Sequence, residues 1–256
     1  MRVIEWYYRI AEADGKQAAN LALQQFHAIY ARAQDRELFD GKNPADRIKK
    51  FPKQSRERFV QAGEMPYLMA AIAEEMPRVE TYFLTLLWTG CRRDEARLME
   101  WKDLDFPNAL WHNPTTKTGV PHTVPLPAQL VTRLQALPKV ADVVFHSAPN
   151  GKNGFRAGLW SVTSVTHAWR RIRTRACLPD VRIHDLRRTA ASWLAISGAN
   201  LPVIQRMLNH TSLTSTQVYA RLSVAPVRLA LNDQAERMLR TGPAMKADPM
   251  LQEWPG

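Results

Sequence analysis

Helical periodicity runs through most of this chain and is interrupted in one region, which favours a mainly helical fold with a small sheet. Apolar residues recur three and four positions apart on both sides of Trp101–Leu126, which is the spacing of amphipathic helices. Inside that region, short apolar pieces alternate with turns at Pro107-Asn108 and Thr118-Gly119, a pattern typical of strands. The sequence therefore predicts a mainly α-helical fold with one small three-stranded antiparallel β-sheet.

Glycine and proline divide the chain into a short first part and a longer second part. The break is Asp40-Gly41-Lys42-Asn43-Pro44, because glycine and proline both stop helices. We interpret 1–41 as two helices that remain from a larger helical domain, and 42–60 as an exposed basic linker. The main domain is predicted at 61–223. The last part, 224–256, is predicted as a helix and a tail that either dock on a neighbouring protomer or fold back on their own domain.

The charge of the chain is strongly positive and is concentrated in two stretches. The net charge is +11, which indicates a polyanionic partner, with nucleic acid as the first candidate. Lys42–Arg58 and Arg170–Arg188 each hold seven basic and two acidic residues, and the alternative interpretation is that both are ordinary solvated faces. The candidate DNA-binding residues are Lys42, Lys49, Lys50, Lys53, Arg56, Arg58, Arg170, Arg171, Arg173 and Arg188.

Other features of the sequence argue against a membrane, secreted or metal-binding protein. The longest apolar stretches, such as Tyr82–Trp88 and Ala190–Ile196, are too short to cross a bilayer, and the N-terminus has no secretory signal. The only cysteines, Cys91 and Cys177, have no close spacing and make neither a disulfide framework nor a zinc site. We therefore expect a cytoplasmic, nucleoid-associated protein with no metal, no cofactor and no membrane partner.

Five short motifs in the main domain contain the candidate site residues. Each has an ordinary interpretation alone. Arg92 and Arg187 could be surface ion-pair partners, Lys117 a solvated turn residue, His210 a helix cap and Tyr219 part of the core. Arg92 follows a glycine turn and starts a helix, so Glu95 can orient it from the next turn. The motifs are Thr89-Gly90-Cys91-Arg92-Arg93-Asp94-Glu95, Lys117 in a hairpin turn, His184-Asp185-Leu186-Arg187, Leu208-Asn209-His210, and Tyr219 nine residues further on.

In this order and at these spacings, the motifs resemble those of the tyrosine recombinases, or phage integrases. The match covers roughly Met65 to Ser223 and implies that 61–223 is a catalytic domain, that 1–41 is the end of a core DNA-binding domain and that 42–60 is the interdomain linker. This chain departs from the pattern at Asn209, where relatives usually have glycine. Asparagine also tolerates the left-handed conformation, so we expect the turn to persist.

The resemblance implies a site-specific DNA recombinase that cleaves and rejoins double-stranded DNA without metal or ATP. Tyr219 would attack phosphorus and form a 3′-phosphotyrosine. Arg92 and Arg187 would stabilise the charge on the non-bridging oxygens, and His210 would donate a further hydrogen bond to the phosphate. We expect the nearby arginines to lower the pKa of Tyr219.

The resemblance also implies how protons move and how the protein assembles. His184 would accept the proton of the attacking tyrosine, and Lys117 would protonate the leaving 5′ oxygen. Four protomers would assemble as a tetramer on paired DNA sites, with accessory DNA-bending proteins as further candidate partners.

Three alternative functions stay open at this point. A type IB topoisomerase would use the same chemistry to relax DNA, and an inactive or truncated remnant would only bind it. A metal-dependent nuclease would use His184, Asp185 and His210, but Asp185 should point away from His184 on a helix. A protein–DNA adduct that resists denaturation and forms in EDTA would discriminate among these.

Overall fold

The computed structural model describes residues 2–52, 56–114, 119–147, 158–222 and 224–241. The chain folds into two compact units, Met1–Glu57 and Arg58–Gly256. Two residues predicted from the sequence to act on DNA, Lys53 and Lys117, lie outside the described residues. Among the helices that are described, none is long and apolar enough to cross a membrane.

The first unit is a pair of helices, α1 (Val3–Asp14) and α2 (Lys16–Asp35). Gly15 joins them with a φ of +91°, a conformation that glycine adopts without steric cost. Tyr7 of α1 is buried, and its hydroxyl donates to Asn20 Oδ1 of α2 at 2.6 Å. The helices are therefore joined by a partly buried polar contact as well as by apolar packing.

The stretch after α2 packs on this helix pair, although its charge favoured an exposed linker. Ala45 is buried, and the ring of Phe51 stacks on Tyr7 with ring centroids 5.0 Å apart. Asn43 Nδ2 donates to the His27 carbonyl at 3.2 Å. Apolar and basic residues alternate here, so the apolar ones cover the face that two helices leave open while Lys49 and Lys50 stay exposed.

The second unit is mainly helical, with one small sheet, which confirms the predicted fold class. The three strands are antiparallel in the order β1-β2-β3, and Trp111 lies opposite Val124. In chain order the elements are α3 (Met65–Ala73), α4 (Pro77–Thr89), α5 (Arg93–Arg97), β1 (Leu104–Asp105), β2 (Leu110–Asn113), β3 (His122–Pro125), α6 (Ala128–Ala136), α7 (Val162–Arg175), α8 (Ile183–Ile196), α9 (Leu201–Leu208) and α10 (Val224–Thr241).

Helix α4 lies at the centre of this unit and leads directly into the candidate site. Tyr82, Phe83 and Leu86 are buried, and burying an apolar side chain of this size contributes about 1.5–3 kcal/mol. The hydroxyls of the buried Thr85 and Thr89 donate to the carbonyls four residues earlier at 2.7 and 2.6 Å. Because these hydroxyls have hydrogen-bond partners within the helix, the polar positions of α4 can be buried as well as the apolar ones. The C-terminal end of α4 is therefore packed into the core.

Two stretches of this unit depart from one continuous α-helix. Proline at the first position of α4, Pro77, separates it from α3, because proline fits a first turn but not a helix interior. The segment around Tyr219 consists of two 3₁₀ segments, Leu213–Ser215 and Gln217–Leu222. The Tyr219 N–H donates to the Thr216 carbonyl, three residues back, at 3.0 Å, which is the 3₁₀ pattern.

Candidate active site

The turn between α4 and α5 favours glycine. Gly90 has a φ of +64°, in the left-handed region that favours glycine. A Cβ atom here would lie 3.1 Å from Met207 Cε and 3.2 Å from Leu208 Cδ2. Glycine therefore permits both the backbone conformation and the close approach of α9, and the chain then enters α5 at Arg92.

Glu95 holds Arg92 by its backbone and by its side chain. The Arg92 N–H donates to Glu95 Oε2 at 2.8 Å, and Arg92 Nη1 donates to Glu95 Oε1 at 2.7 Å. The Glu95 side chain is only 7% exposed and that of Arg92 is 27% exposed. Charge-assisted bonds of this kind are stronger than neutral ones, so the guanidinium direction is well defined.

Arg187 of α8 joins the ends of two other helices. Its Nη1 donates to the Gly90 carbonyl at 2.6 Å, and its Nη2 donates to the Leu208 carbonyl. The residue is 6% exposed. Burial, with a smaller contribution from nearby Arg92, lowers the pKa of Arg187 to about 10, so the side chain stays charged at neutral pH.

Arg92, Arg187 and His184 line one cleft of about 590 Å³. Loss of solvent around the His184 ring, followed by the charges of Arg188 and Arg187, lowers the pKa of His184 below 6.5. The imidazole is therefore neutral at pH 7 and can accept a proton. The cleft thus contains two fixed cations beside one neutral base.

His210 follows the last turn of α9. Asn209 adopts the left-handed conformation there, with a φ of +46°, so the predicted turn is present without glycine. The His210 N–H donates to the Gln205 carbonyl at 3.1 Å. Burial, together with the charges of Arg187 and Arg92, lowers the pKa of His210 to about 4, so its ring is neutral at pH 7.

Tyr219 is 8% exposed and packs in a small apolar cluster that includes Ile204 and Leu208. Burial raises the pKa of its hydroxyl, while Arg187 and Arg188 lower it by less. The prediction that nearby arginines would lower this pKa overall is therefore wrong for the DNA-free protein. Removing a phenol from water disfavours the phenolate, and here this effect outweighs the attraction of the two cations.

Sequence reasoning gave no role to Thr216, which lies between His210 and Tyr219. Its side chain is fully buried, and its Oγ1 lies 3.0 Å from His210 Nδ1. Its carbonyl accepts the Tyr219 N–H at 3.0 Å. One residue thus contacts both the histidine ring and the backbone of the tyrosine. The available signal was a threonine three residues before the tyrosine, which is too common to stand out.

The candidate DNA-binding residues fall into different environments. Lys42, Lys49, Lys50 and Arg170 are exposed, whereas Arg56 and Arg173 are partly buried. Arg58 is held by Glu64 and Asp180, each at 2.7 Å, and Arg171 pairs with Glu75 at 2.7 Å. The exposed residues are better placed to meet a phosphate than those that already face a carboxylate.

Asp185, the proposed third ligand in the nuclease alternative, is buried in a structural role. Its Oδ2 accepts the backbone N–H of Arg182 at 2.9 Å, and Oδ1 lies 3.6 Å from Arg188 Nη1. Within the part of the chain that is described, no group of three or more His, Cys, Asp or Glu side chains could hold a metal ion. The nuclease alternative therefore lacks a ligand cluster among these residues.

Comparison with known sequences gives a family match over most of the second unit. The sequence model of the phage integrase family matches residues 58–225. The tyrosine recombinase XerC of Bifidobacterium longum (strain DJO10A) is 33% identical over 172 residues, which are 62% of this chain and 47% of XerC. The chain therefore spans about half the length of this relative.

Two solved structures share the fold. One is the Tn1549 transposon integrase (residues 82–397) in complex with circular intermediate DNA, with a TM-score of 0.68 and 18% identity over 89% of this chain and 82% of that one. The other is a lambda integrase tetramer bound to a Holliday junction, with a TM-score of 0.64 and 16% identity over 83% and 64%. At these identities the likeness establishes the fold.

Proposed function

This chain belongs to the phage integrase family, and we propose that it is a site-specific DNA recombinase that forms a 3′-phosphotyrosine through Tyr219. The observation that carries the proposal is the shared electrostatic environment of separate motifs. Arg92 and Arg187 line one cleft, and the charge of Arg187 acts on both His210 and Tyr219. Residues far apart in the sequence thus lie near enough for their charges to act on one another, which supports a single place where a phosphate would be stabilised.

Charge stabilisation at phosphorus falls to the two arginines. The transition state of phosphodiester cleavage carries extra negative charge on the non-bridging oxygens, and fixed donors aimed at that charge accelerate the reaction. Arg92 is directed by Glu95 and Arg187 by two carbonyls. Both are therefore preorganised, and His210 supplies a further hydrogen bond to the phosphate. The ester keeps the energy of the broken bond, so rejoining needs no ATP, and the two arginines would supply the charge stabilisation that a metal supplies elsewhere.

The nucleophile needs a base because its pKa is raised. Tyr219 stays protonated at neutral pH, whereas the lowered pKa of His184 keeps that imidazole able to accept a proton. We assign the general-base role to His184. A phosphate in the cleft would also compensate the charges of Arg187 and Arg92 that now lower the pKa of His184, so the histidine would hold the proton more strongly once DNA is bound.

We assign the general-acid role to Lys117, which lies outside the described residues. An ordinary lysine pKa near 10.4 suits protonation of an alkoxide-like leaving oxygen. A substrate with sulfur in place of the bridging 5′ oxygen tests this role, because a thiolate leaves without a proton. Lys117→Ala should be slow on normal DNA and nearly as fast as wild type on the sulfur substrate, while Arg92→Ala should be slow on both.

Double-stranded DNA and further copies of this chain are the proposed partners. One structural neighbour is a complex with DNA, and another is a tetramer on a Holliday junction, so we infer a tetramer on paired sites, with DNA-bending proteins as accessory partners. The side chains of 231–238 in α10, including Leu231 and Met238, are all exposed. We propose that 224–256 docks on a neighbouring protomer, that 61–223 is the catalytic domain, and that 1–41 and the basic stretch 42–60 help to hold the duplex.

Covalent capture of DNA tests the proposed function. The protein is incubated with random-sequence duplexes in EDTA and then denatured, and DNA that stays attached is sequenced. Wild type should form adducts at a defined sequence. Tyr219→Phe should form none but should bind duplexes normally, whereas Tyr67→Phe, which changes a tyrosine that is 67% exposed, should behave as wild type.

Each other outcome of the capture experiment has a definite meaning. Adducts formed by Tyr219→Phe would show that another residue attacks. If wild type binds the duplex but forms no adduct, the recombinase proposal is wrong and the alternative of an inactive protein that only binds DNA is favoured. Adducts at a defined sequence in EDTA would exclude metal-dependent hydrolysis, and strand exchange between two captured sites would separate recombination from simple relaxation.

A further inference from the structure

His122 of β3 makes a hydrogen bond that connects the sheet to α9. It lies opposite Asn113 of β2 in the antiparallel ladder. Its ring atom Nε2 lies 2.9 Å from the carbonyl oxygen of Arg206, 84 residues further along the chain. The imidazole is partly buried, and it lies near enough to Glu95, Arg187 and Arg92 for their charges to act on it. This strand end therefore lies beside the candidate active site.

The partner of the ring decides which nitrogen carries the proton. A carbonyl oxygen only accepts hydrogen bonds, so Nε2 must be the donor. Loss of solvent lowers the pKa of His122 and outweighs the Arg206 carbonyl, which raises it. The neutral ring with its proton on Nε2 is the form that fits this contact at neutral pH.

The Arg206 carbonyl belongs to the turn on which the site depends. The same oxygen accepts the N–H of Asn209 at 3.1 Å, the residue in the left-handed conformation. The neighbouring carbonyl, that of Leu208, accepts a bond from Arg187, and the next residue after the turn is His210. His122 thus holds, from the side of the sheet, the turn that Arg187 holds from the side of α8.

We propose that His122 is a positioning residue for the phosphodiester chemistry. By fixing the last turn of α9 against β3, it sets the position of His210 and of the Leu208 carbonyl that orients Arg187. It acts through those groups and does not itself touch the phosphate. The inference rests on the proposed function for its effect on rate, but the hydrogen bond and its effect on the turn exist without DNA.

Two substitutions and a matched control test the effect on rate. His122→Ala removes the donor, while His122→Gln keeps an N–H₂ donor near the position of Nε2. The control is His112→Ala on β2, since His112 is exposed and its ring faces Thr123 within the same hairpin, with Nδ1 3.3 Å from Oγ1. The substrate is a duplex recovered by covalent capture with wild type, and single-turnover adduct formation is measured together with duplex affinity and melting temperature.

The expected result is a loss of rate without a loss of binding. His122→Ala should form adduct about 10²-fold more slowly, which is what a misplacement of about 1 Å costs at a reacting centre, while its affinity for the duplex stays near wild type. His122→Gln should recover most of the rate, and His112→Ala should be as fast as wild type. Normal speed in His122→Ala, equal slowness in His112→Ala, or failure of Gln to restore rate would each overturn the proposal.

A spectroscopic measurement separates this proposal from the recombinase assignment. In DNA-free protein labelled with ¹⁵N-histidine, the His122 ring should show the Nε2-protonated tautomer at neutral pH. The ring signals of His210 should shift in His122→Ala and stay unchanged in His112→Ala. Unchanged His210 signals in His122→Ala would refute the positioning role even if adducts form, whereas shifted signals in a protein that forms no adduct would refute only the proposed function.

Discussion

The contact between Glu95 and Arg92 allows orientation and charge to be tested separately. Glu95→Gln replaces one of two carboxylate oxygens, each of which accepts a bond from Arg92, by an amide nitrogen. The remaining oxygen can accept only one of these bonds. The N–H₂ group then faces either the backbone N–H or the guanidinium of Arg92, and both of those are donors. One charge-assisted bond disappears and the other becomes weaker.

The magnitude follows from the burial of the two partners. A hydrogen bond to a charged group contributes about 1.5–3 kcal/mol. Glu95 is 7% exposed, but water can reach Arg92, which is 27% exposed, so the lower part of that range applies. We expect a loss of about 2 kcal/mol in the free energy of unfolding, which lowers the melting temperature of a domain of this size by about 4–8 °C.

The effect on rate should exceed what the loss of stability explains. Removing one donor to a developing oxyanion costs about 10²–10³-fold. A guanidinium that stays in place but loses its orientation should therefore slow adduct formation by at least about tenfold on the captured duplex. Duplex affinity should not fall, because the substitution removes a negative charge from a cleft that binds phosphate. The assays are thermal melting, single-turnover adduct formation and a binding titration.

The matched control also removes one negative charge, but from a neighbouring residue that does not hold Arg92. Asp94→Asn alters the adjacent carboxylate, which is 47% exposed and pairs with Arg93 and Arg97, so water screens its ion pairs more than it screens the buried Glu95, and they contribute less. It should melt and cleave almost as wild type does. If Glu95→Gln were as stable and as fast as Asp94→Asn, then Glu95 would not hold Arg92 and the proposed orientation would be wrong.

Four further predictions follow from the site and its surroundings. Thr216→Val leaves the His210 ring without its buried partner, at a cost of about 1–3 kcal/mol, so adduct formation should slow and Thr216→Ser should restore it; equal rates in both variants would remove Thr216 from the site. Because His184 must be neutral to act as a base and its pKa in the DNA-free protein lies below 6.5, the second-order cleavage rate at sub-saturating duplex, which reports ionisation of the free protein, should fall to half only below pH 6.5; a midpoint at or above 6.5 under these conditions would contradict the assignment. Replacing three exposed lysines of the basic stretch, Lys42, Lys49 and Lys50, by glutamine should reduce the log–log salt slope of binding by about 0.9 for each phosphate that the protein no longer neutralises, and an unchanged slope would mean that they do not touch DNA. Deleting everything after Ser223 should leave single-site binding intact and reduce the pairing of sites in sedimentation, whereas normal pairing would show that α10 does not dock in trans.

Much of the fold could be predicted because the buried face of a helix or strand makes apolar residues recur at a regular spacing in the sequence. The helices around Phe83 and Ile204 and the strand containing Trp111 follow from that spacing. The stretch 43–51 was harder, because three basic residues, Arg47, Lys49 and Lys50, lie among its few apolar ones. The buried Ala45 and the stacked Phe51 are visible only when the apolar positions are considered without the charges.

The sequence predicts which residues form the candidate site, but not how deeply each of them is buried. The motif spacing singles out Arg92 and Tyr219 as candidates, and helix geometry anticipated the contact between Arg92 and Glu95. The direction of the Tyr219 pKa could not be derived, since it depends on how burial compares with the attraction of two arginines. The bond from His122 to Arg206 joins residues that no local pattern relates.

The position of Arg187 has a consequence for how a chain of this kind can lose its activity over time. This guanidinium completes the C-terminal ends of both α4 and α9, so the group proposed to stabilise the phosphate also holds two helices together. Losing it removes a buried hydrogen-bond donor from two carbonyls, which costs stability as well as catalysis. Among the contacts described above, none uses the Tyr219 hydroxyl to hold two elements together. In a related chain that evolves toward DNA binding without catalysis, the tyrosine hydroxyl should therefore be lost early and the arginine kept. An intact arginine is then weaker evidence of activity than an intact tyrosine.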